Sequence, residues 1–213
     1  MATKNSKKIL ITAGPSWVAI DQARVIGNIA SGETGFILAE KFKKLGTKVT
    51  LLLGPGYFCG NQTGIKIIRF KYFSQLARLL TNELKKGKYA AVIHAAAVAD
   101  YAPKKIIRYK VSSHLSNWKI NLAPTKKLIN NLKNYGSGLF SVGFKFEPDE
   151  DDAGLIEKGK ALLKQAGLDL VVANSNKNAA YRAFILDKKN IYGPFPSKIK
   201  MAGYLSRLVE KRI

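Results

Sequence analysis

Apolar residues along this chain follow two alternating rhythms. Short, nearly unbroken runs stopped by Gly or Pro suit buried parallel strands, and stretches with apolar positions three or four apart suit helices. Residues 7–15, Lys7-Lys8-Ile9-Leu10-Ile11-Thr12-Ala13-Gly14-Pro15, form the first such run and predict a central strand ended by a Gly-Pro turn. After a long polar connection, residues 32–45 set Phe36, Ile37, Ala39, Phe42 and Leu45 at helical spacing, with Gly46 as a C-terminal stop. Strands follow at 48–53 and 65–70, a helix at 72–86, and a fourth strand at 89–95. Strands alternating with helices predict a doubly wound, mostly parallel Rossmann-like α/β sheet.

From 98 to 122 the rhythm gives way to Pro, Lys, Ser and Asn punctuation, with a short strand at 118–122, and reads as an excursion overhanging the sheet. The α/β pattern then resumes: helix 125–134, strand 139–146, helix 153–166, strand 170–173, a hairpin of 183–186 and 191–192 turning at 187–190, and a last helix at 197–211. No linker, repeat or low-complexity tract divides the chain, so residues 1–213 are expected to form a single domain. Open α/β sheets leave a crevice at the carboxyl ends of their parallel strands, and candidate site residues are sought there.

Composition narrows the classes. With 213 residues and 46% apolar side chains the chain has material for a sizeable core, which excludes disorder and collagen-like fibres. The longest apolar run, 89–99, is closed by Lys88 and Asp100 and falls well short of the roughly 20 residues of a membrane-spanning helix. The polar, basic start lacks the apolar segment of a secretory signal, so a cytoplasmic location is expected. The lone Cys59 allows no internal disulfide and has no Cys or His neighbour at metal-ligand spacing.

The balance of 36 basic to 14 acidic residues gives +22. Such a charge fits a polyanionic partner, acidic substrates or a lysine-biased proteome, and alone does not choose among them. The cations are mostly scattered lysines, whereas base readout and phosphate clamping favour clustered arginine, which argues against nucleic acid as the main partner. Five of the acids sit together between Glu147 and Asp152, where they are expected to repel nucleic acid locally.

Four stretches near predicted strand ends carry candidate chemistry. The segment 14–35 holds Arg24, Asn28, Ser31, Gly32 and Gly35 before and within a helix start, where small residues let backbone N–H groups approach an anion. It is neither a G-x-G-x-x-G fingerprint nor a Walker A loop, and a Ser-Gly pair there also serves as a simple helix cap. Ala95-Ala96-Ala97-Val98-Ala99-Asp100-Tyr101 offers a flat backbone surface with Asp100 at its rim; the plainer reading is tight packing and a capped turn. His94, inside the apolar strand, reads as a core histidine. Lys104, Lys105 and Lys110 lie in the excursion, and Lys160 and Lys164 lie one turn apart on a helix. Any of these lysines suits a phosphate, and any suits plain solvation.

Taken in order and at their separations, these segments resemble phosphopantothenate-cysteine ligase, also called phosphopantothenoylcysteine synthetase, of coenzyme A biosynthesis. The resemblance spans nearly the whole chain: Ile11-Thr12-Ala13-Gly14-Pro15-Ser16, the segment 21–35 with Arg24-Val25-Ile26-Gly27-Asn28-Ile29-Ala30-Ser31-Gly32, Ala95 to Tyr101, Lys110-Val111-Ser112-Ser113, Val142-Gly143-Phe144, and Leu168-Asp169-Leu170-Val171-Val172-Ala173-Asn174. It implies ligation of 4'-phosphopantothenate to L-cysteine through an acyl-nucleotide, with CTP favoured over ATP as co-substrate, Mg2+, and a homodimer to which the 98–122 excursion contributes. It further implies that Asn28 holds the acyl intermediate and Arg24 positions substrate. Asp100, Lys110, Lys126, Lys127, Leu128, Ile129, Phe144, Lys160 and Lys164 would serve the nucleotide, with Ala96, Ser31 and Gly32 lining it.

Three departures from the family pattern stand out. Ala30-Ser31-Gly32-Glu33-Thr34-Gly35 replaces Ser-Ser-Gly-Lys-Met-Gly, so Glu33 puts a negative charge at the phosphate-facing turn. Val111-Ser112-Ser113 follows Lys110 where Ile-Lys-Lys is frequent, and Ala123-Pro124-Thr125 replaces Asn-Pro-Asp. Many bacterial members carry an N-terminal flavin-dependent decarboxylase; with strand one beginning at Ile9, a stand-alone synthetase is expected. An NAD(P)-dependent reductase shares the strand-turn-helix opening but would need the missing glycine fingerprint and a Tyr-x-x-x-Lys pair. A nucleic-acid- or nucleotide-binding module that kept the fold without the activity is the alternative that +22 and Glu33 keep open.

Overall fold

Strand β1 (Lys8–Ala13) lies in the interior of an eight-stranded sheet, and from Ile9 to Ala13 every residue is buried. In the computed structural model, which describes residues 7–56, 60, 62–136 and 138–213, β1 pairs in parallel with β4 (Lys48–Leu53) on one side and with β6 (Ala91–His94) on the other. A strand covered on both faces must be apolar throughout, which is why this segment shows no alternation. Within it Ile9 and Ile11 face one helical layer and Leu10 the other.

A hairpin of β2 (Trp17–Ala19) and β3 (Val25–Gly27) fills much of the connection after β1. The sequence predicts only a polar connection here, because strands of three residues are too short for periodicity to register. Helix α1 (Glu33–Lys44) then leads to β4 and β5 (Lys66–Arg69), and α2 (Phe73–Lys86) crosses the opposite face to β6. After β6 come the short strands β7 (Tyr101–Pro103) and β8 (Leu122–Pro124), which pair with each other and bracket the excursion. The short strand expected at 118–122 is displaced to β8, and Trp118 stacks instead on Arg24.

The helix expected at 125–134 is a 3-10 segment, Leu128–Tyr135. Asparagine is a poor helix former, and three fall here at Asn130, Asn131 and Asn134; only Leu132 is fully buried, so packing does not enforce α geometry. Strand β9 (Phe140–Phe146), helix α3 (Asp152–Gln165), strand β10 (Leu170–Ser175), the antiparallel pair β11 (Arg182–Leu186) and β12 (Ile191–Phe195), and helix α4 (Lys198–Arg212) complete the chain.

Strand order is β12-β11-β10-β9-β6-β1-β4-β5. Counting only the parallel strands, this is the 3-2-1-4-5-6 order of a doubly wound nucleotide-binding sheet, with an antiparallel extension at one edge. Helices α1 and α4 cover one face, with Phe36, Phe42, Met201 and Leu205 packed on Ile9, Leu51 and Val172. Helices α2 and α3 and the 3-10 segment cover the other, with Leu76, Leu80, Leu132 and Leu155 packed on Leu10, Val92 and Val171. The strand order reverses between β1 and β6, so the chain leaves the two strand ends in opposite directions and a crevice opens there. Among the described residues no helix is long and apolar enough to cross a membrane. Cys59 lies outside the described residues.

Candidate functional site

The ends of β1 and β6 are stitched together beyond their last paired residues. Ala95 N–H donates to Thr12 O, Ala97 N–H to Gly14 O, and Ser16 N–H to Ala97 O, at 3.0 to 3.1 Å. Thr12 Oγ1 accepts from Ala96 N–H at 3.2 Å and meets His94 Nδ1 at 2.9 Å, while Ser16 Oγ accepts from Ala99 N–H at 2.9 Å. Ala95, Ala96 and Ala97 remain half-buried and form the floor of the crevice. His94 is the core histidine expected: it lies beneath that floor, and burial lowers its pKa to about 4.

Small residues let α1 close one wall. Gly32 precedes the helix with φ of 83°, a left-handed conformation that favours glycine, and has no side chain to cap the first turn. Gly35 packs so closely on β1 that a Cβ would come within 2.3 Å of Ala13 Cβ. Ser31 Oγ accepts from Glu33 N–H at 3.3 Å. The Glu33 carboxylate, which places negative charge at this turn, is paired at 2.5 Å with Lys198 in the first turn of α4. Sequence reading did not single out Lys198, because nothing local connects residues 165 positions apart.

The β2–β3 hairpin and the chain after it carry Arg24 and Asn28 to the same edge. Asn28 Nδ2 donates to Val98 O at 3.0 Å, joining this segment to the alanine floor. Arg24 pairs with Asp21 at 2.5 Å, donates to Val111 O at 3.2 Å, and lies 5.1 Å from the centre of the Trp118 ring. Asp21 is buried, and desolvation raises its pKa, but hydrogen bonds from Ala23, Val111 and Arg24 outweigh that and hold it at about 2. Sequence reading missed Asp21, although Asp-x-x-Arg in a polar stretch is a recognisable side-chain-to-backbone turn signal.

Asp100 stands exposed at the rim, in an ion pair with Lys127. Thr125 fixes this corner, donating from its N–H to Asp100 O at 2.9 Å and from its hydroxyl to Ala99 O at 2.6 Å. Lys126 is exposed, while Leu128 and Ile129 are half-buried; Ile129 presses on Gly143, where a Cβ would come within 2.7 Å of its Cδ1. Gly143 is in register with His94, so Phe144 stands one residue further on, level with the alanines. Lys110 is exposed in the excursion, next to the buried Val111.

Lys160 and Lys164 are not brought to this crevice. Helix α3 runs from the carboxyl edge of the sheet back to the amino edge, and both lysines lie on its far half, where they line a groove of about 330 Å3 with Asp187 and Lys188. Leu186 is in register with Val171 near the start of β10, which puts that groove at the edge opposite the crevice. The acidic cluster is also less negative than the sequence implies: Glu147 pairs with Lys145 and Lys158, Glu150 with Lys158, and Asp152 with Arg182. Among the described residues no group of three or more His, Cys, Asp and Glu side chains is placed to hold a metal ion.

The family profile of the DNA/pantothenate metabolism flavoprotein C-terminal domain matches residues 4–202. The coenzyme A biosynthesis bifunctional protein CoaBC of Thermococcus kodakarensis is 34% identical over 174 residues, covering 80% of this chain and 42% of that protein. The chain spans about half the length of the curated relatives it matches. Among solved structures, the DNA/pantothenate metabolism flavoprotein of Streptococcus pneumoniae superimposes with a TM-score of 0.87 at 23% identity, covering 98% of this chain and 100% of that one. A Cab2 variant in complex with phosphopantothenate-cysteine superimposes with a TM-score of 0.76 at 18% identity, covering 97% and 86%.

Proposed function

The chain belongs to the DNA/pantothenate metabolism flavoprotein C-terminal domain family, and from that premise we propose that it ligates 4'-phosphopantothenate to L-cysteine, with CTP as the favoured nucleotide and ATP as the alternative. The observation that carries this reading is the arrangement around the crevice at the β1–β6 reversal: Asn28 tethered to Val98, the alanine floor, and the Asp100–Lys127 pair at the rim. Phosphopantothenate-cysteine bound to a protein of the same fold is consistent with it.

The chemistry needs no protein nucleophile. A carboxylate oxygen of phosphopantothenate attacks the α-phosphorus of the nucleotide, the bond to the β-phosphate oxygen breaks, and pyrophosphate leaves. The cysteine amine then attacks the acyl carbon, loses a proton, and expels the nucleoside monophosphate. The protein's task is to position two polyanions and offset their repulsion. Asn28 offers a neutral amide donor beside the floor; Lys110 and Lys127 offer charge; Phe144 offers a face to the base. Mg2+ fits as a companion of the nucleotide phosphates rather than as a caged ion, since Asp100 is the carboxylate at the rim and Mg2+ commonly combines one carboxylate with phosphate oxygens and water. When bound there it would neutralise charge developing on the leaving pyrophosphate. Exposed Tyr101, Ile106, Tyr109 and Leu115 in and beside the excursion suit a homodimer contact.

The test is pyrophosphate release from CTP or ATP with 4'-phosphopantothenate and Mg2+, with and without L-cysteine. Cysteine-dependent turnover with one nucleotide establishes ligase and preference together. Silence with both overturns the reading.

A further inference from the structure

We infer that Asp21 is a positioning residue: its buried carboxylate locks the excursion onto the hairpin turn and so fixes the backbone that carries Lys110. The inference rests on the ligase reading for what Lys110 does, but the lock itself is independent of it.

The Asp21 side chain is fully buried, and a buried carboxylate is costly unless its oxygens are satisfied. One oxygen, Oδ1, accepts from the N–H groups of Ala23 at 2.8 Å and Arg24 at 2.7 Å, which is all that a local turn requires. The other, Oδ2, reaches outside the turn: it accepts from Arg24 Nη1 at 2.5 Å and from Val111 N–H at 3.1 Å. The same Arg24 nitrogen donates to Val111 O at 3.2 Å. The Asp21–Arg24 pair therefore holds Val111 by both its backbone groups, across 90 residues of sequence.

What is held matters because of its neighbours. Val111 is buried, whereas Lys110 on one side and Ser112 through Asn117 on the other are exposed. Apart from this clamp the segment is tied to the hairpin by Ile107 N–H donating to Ile20 O at 3.1 Å and by Trp118 lying over Arg24. A lysine side chain is long and flexible, and fixing the backbone beside it removes much of the search its ammonium would otherwise make. Replacing Asp21 by Asn turns an acceptor at Oδ2 into a donor or leaves it neutral, facing two donors in either case.

Two readouts on the full chain decide this. Limited trypsin digestion should cut after Lys104, Lys105, Arg108 or Lys110 roughly tenfold faster in Asp21→Asn than in the parent, with cooperative thermal unfolding retained and with Asp149→Asn, an exposed acidic site, unchanged. In pyrophosphate release, Asp21→Asn and Lys110→Ala should lose kcat/KM non-additively, because the first acts through the second. Unchanged cleavage overturns the lock, and additive losses overturn its link to Lys110. Should Asp21→Asn fail to fold, Arg24→Gln keeps the backbone bonds of Asp21 and removes the guanidinium from Asp21 Oδ2, Val111 O and the Trp118 ring, and the same acceleration is expected. If the parent shows no ligase activity, the ligase reading fails while the cleavage arm still decides the lock.

Discussion

The carboxamide of Asn28 donates to the main-chain oxygen of Val98, tying the strand-one connection to the segment that follows β6 beside the alanine floor, 70 residues away. Asn28→Asp exchanges that donor for a carboxylate facing a carbonyl oxygen and two polyanionic substrates. Because Asn28 is exposed, the unfolding free energy should hold to within the roughly 0.5 kcal/mol of ordinary surface substitutions. Pyrophosphate release should fall roughly 100-fold, the scale of losing one aligned donor in an active site. Unchanged turnover removes Asn28 from the mechanism.

The same crevice shows which parts of the molecule a sequence can display. Ile9 to Ala13 and Lys48 to Leu53 are strands buried on both faces, so their apolar runs are unmistakable, and the helical spacing in α1 follows from its packing on Ile11 and Leu51. The positions of Asn28 and Asp100 beside the alanine floor were legible through their motif neighbourhood. Asp21, Lys198 and the pairing of β2 with β3 were not, since each acquires its role from a partner distant in sequence or from strands of three residues. Lys160 and Lys164 show the converse: one-turn spacing put them on a common face, but the direction in which α3 crosses the sheet takes that face to the far edge.

Gly35 should be intolerant of the smallest addition. A methyl group would meet Ala13 Cβ at 2.3 Å and Ala13 Cα at 3.3 Å, and neither atom can swing aside. Gly35→Ala should cost about 1–3 kcal/mol, the range for overpacking. Gly203 is the contrast: it lies in α4 with its nearest neighbour, Arg207 Nη1, at 4.0 Å, so Gly203→Ala should stabilise by about 0.5–1 kcal/mol through helix propensity. Thermal melts of the two variants should move in opposite directions.

His94 gives the stability curve a defined acid limb. Its pKa is lowered by burial from an ordinary 6.5 to about 4, so between those values the unfolded chain binds a proton that the folded chain does not. The stability tied to the neutral ring is complete above about pH 6.5 and is lost as pH falls towards 4, up to about 3 kcal/mol. Asp21, held at about 2, acts only below its ordinary value of 3.8 and leaves that window to the histidine. Denaturant midpoints measured from pH 7 to 4.5 should fall for the parent and much less for His94→Gln. Parallel slopes would mean that the ring is accessible to protons in the folded state.

Glu33 and Lys198 carry the last prediction. The carboxylate lies at the first turn of α1, where backbone N–H groups and the helix dipole favour an anion, and a phosphate brought there would meet its negative charge. The ammonium of Lys198, 2.5 Å away, offsets that charge and leaves the turn close to neutral. Both side chains are more than one-third exposed, so the pair contributes at most about 1 kcal/mol to stability and neither substitution should unfold the protein. Binding should respond instead. Lys198→Ala exposes the carboxylate to the nucleotide and should raise its KM roughly tenfold, whereas Glu33→Gln leaves Lys198 unopposed and should lower it by a similar factor, both effects shrinking as salt rises. Equal KM values in the two variants would place the nucleotide phosphates away from α1 and make the Asp100–Lys127 rim their principal contact.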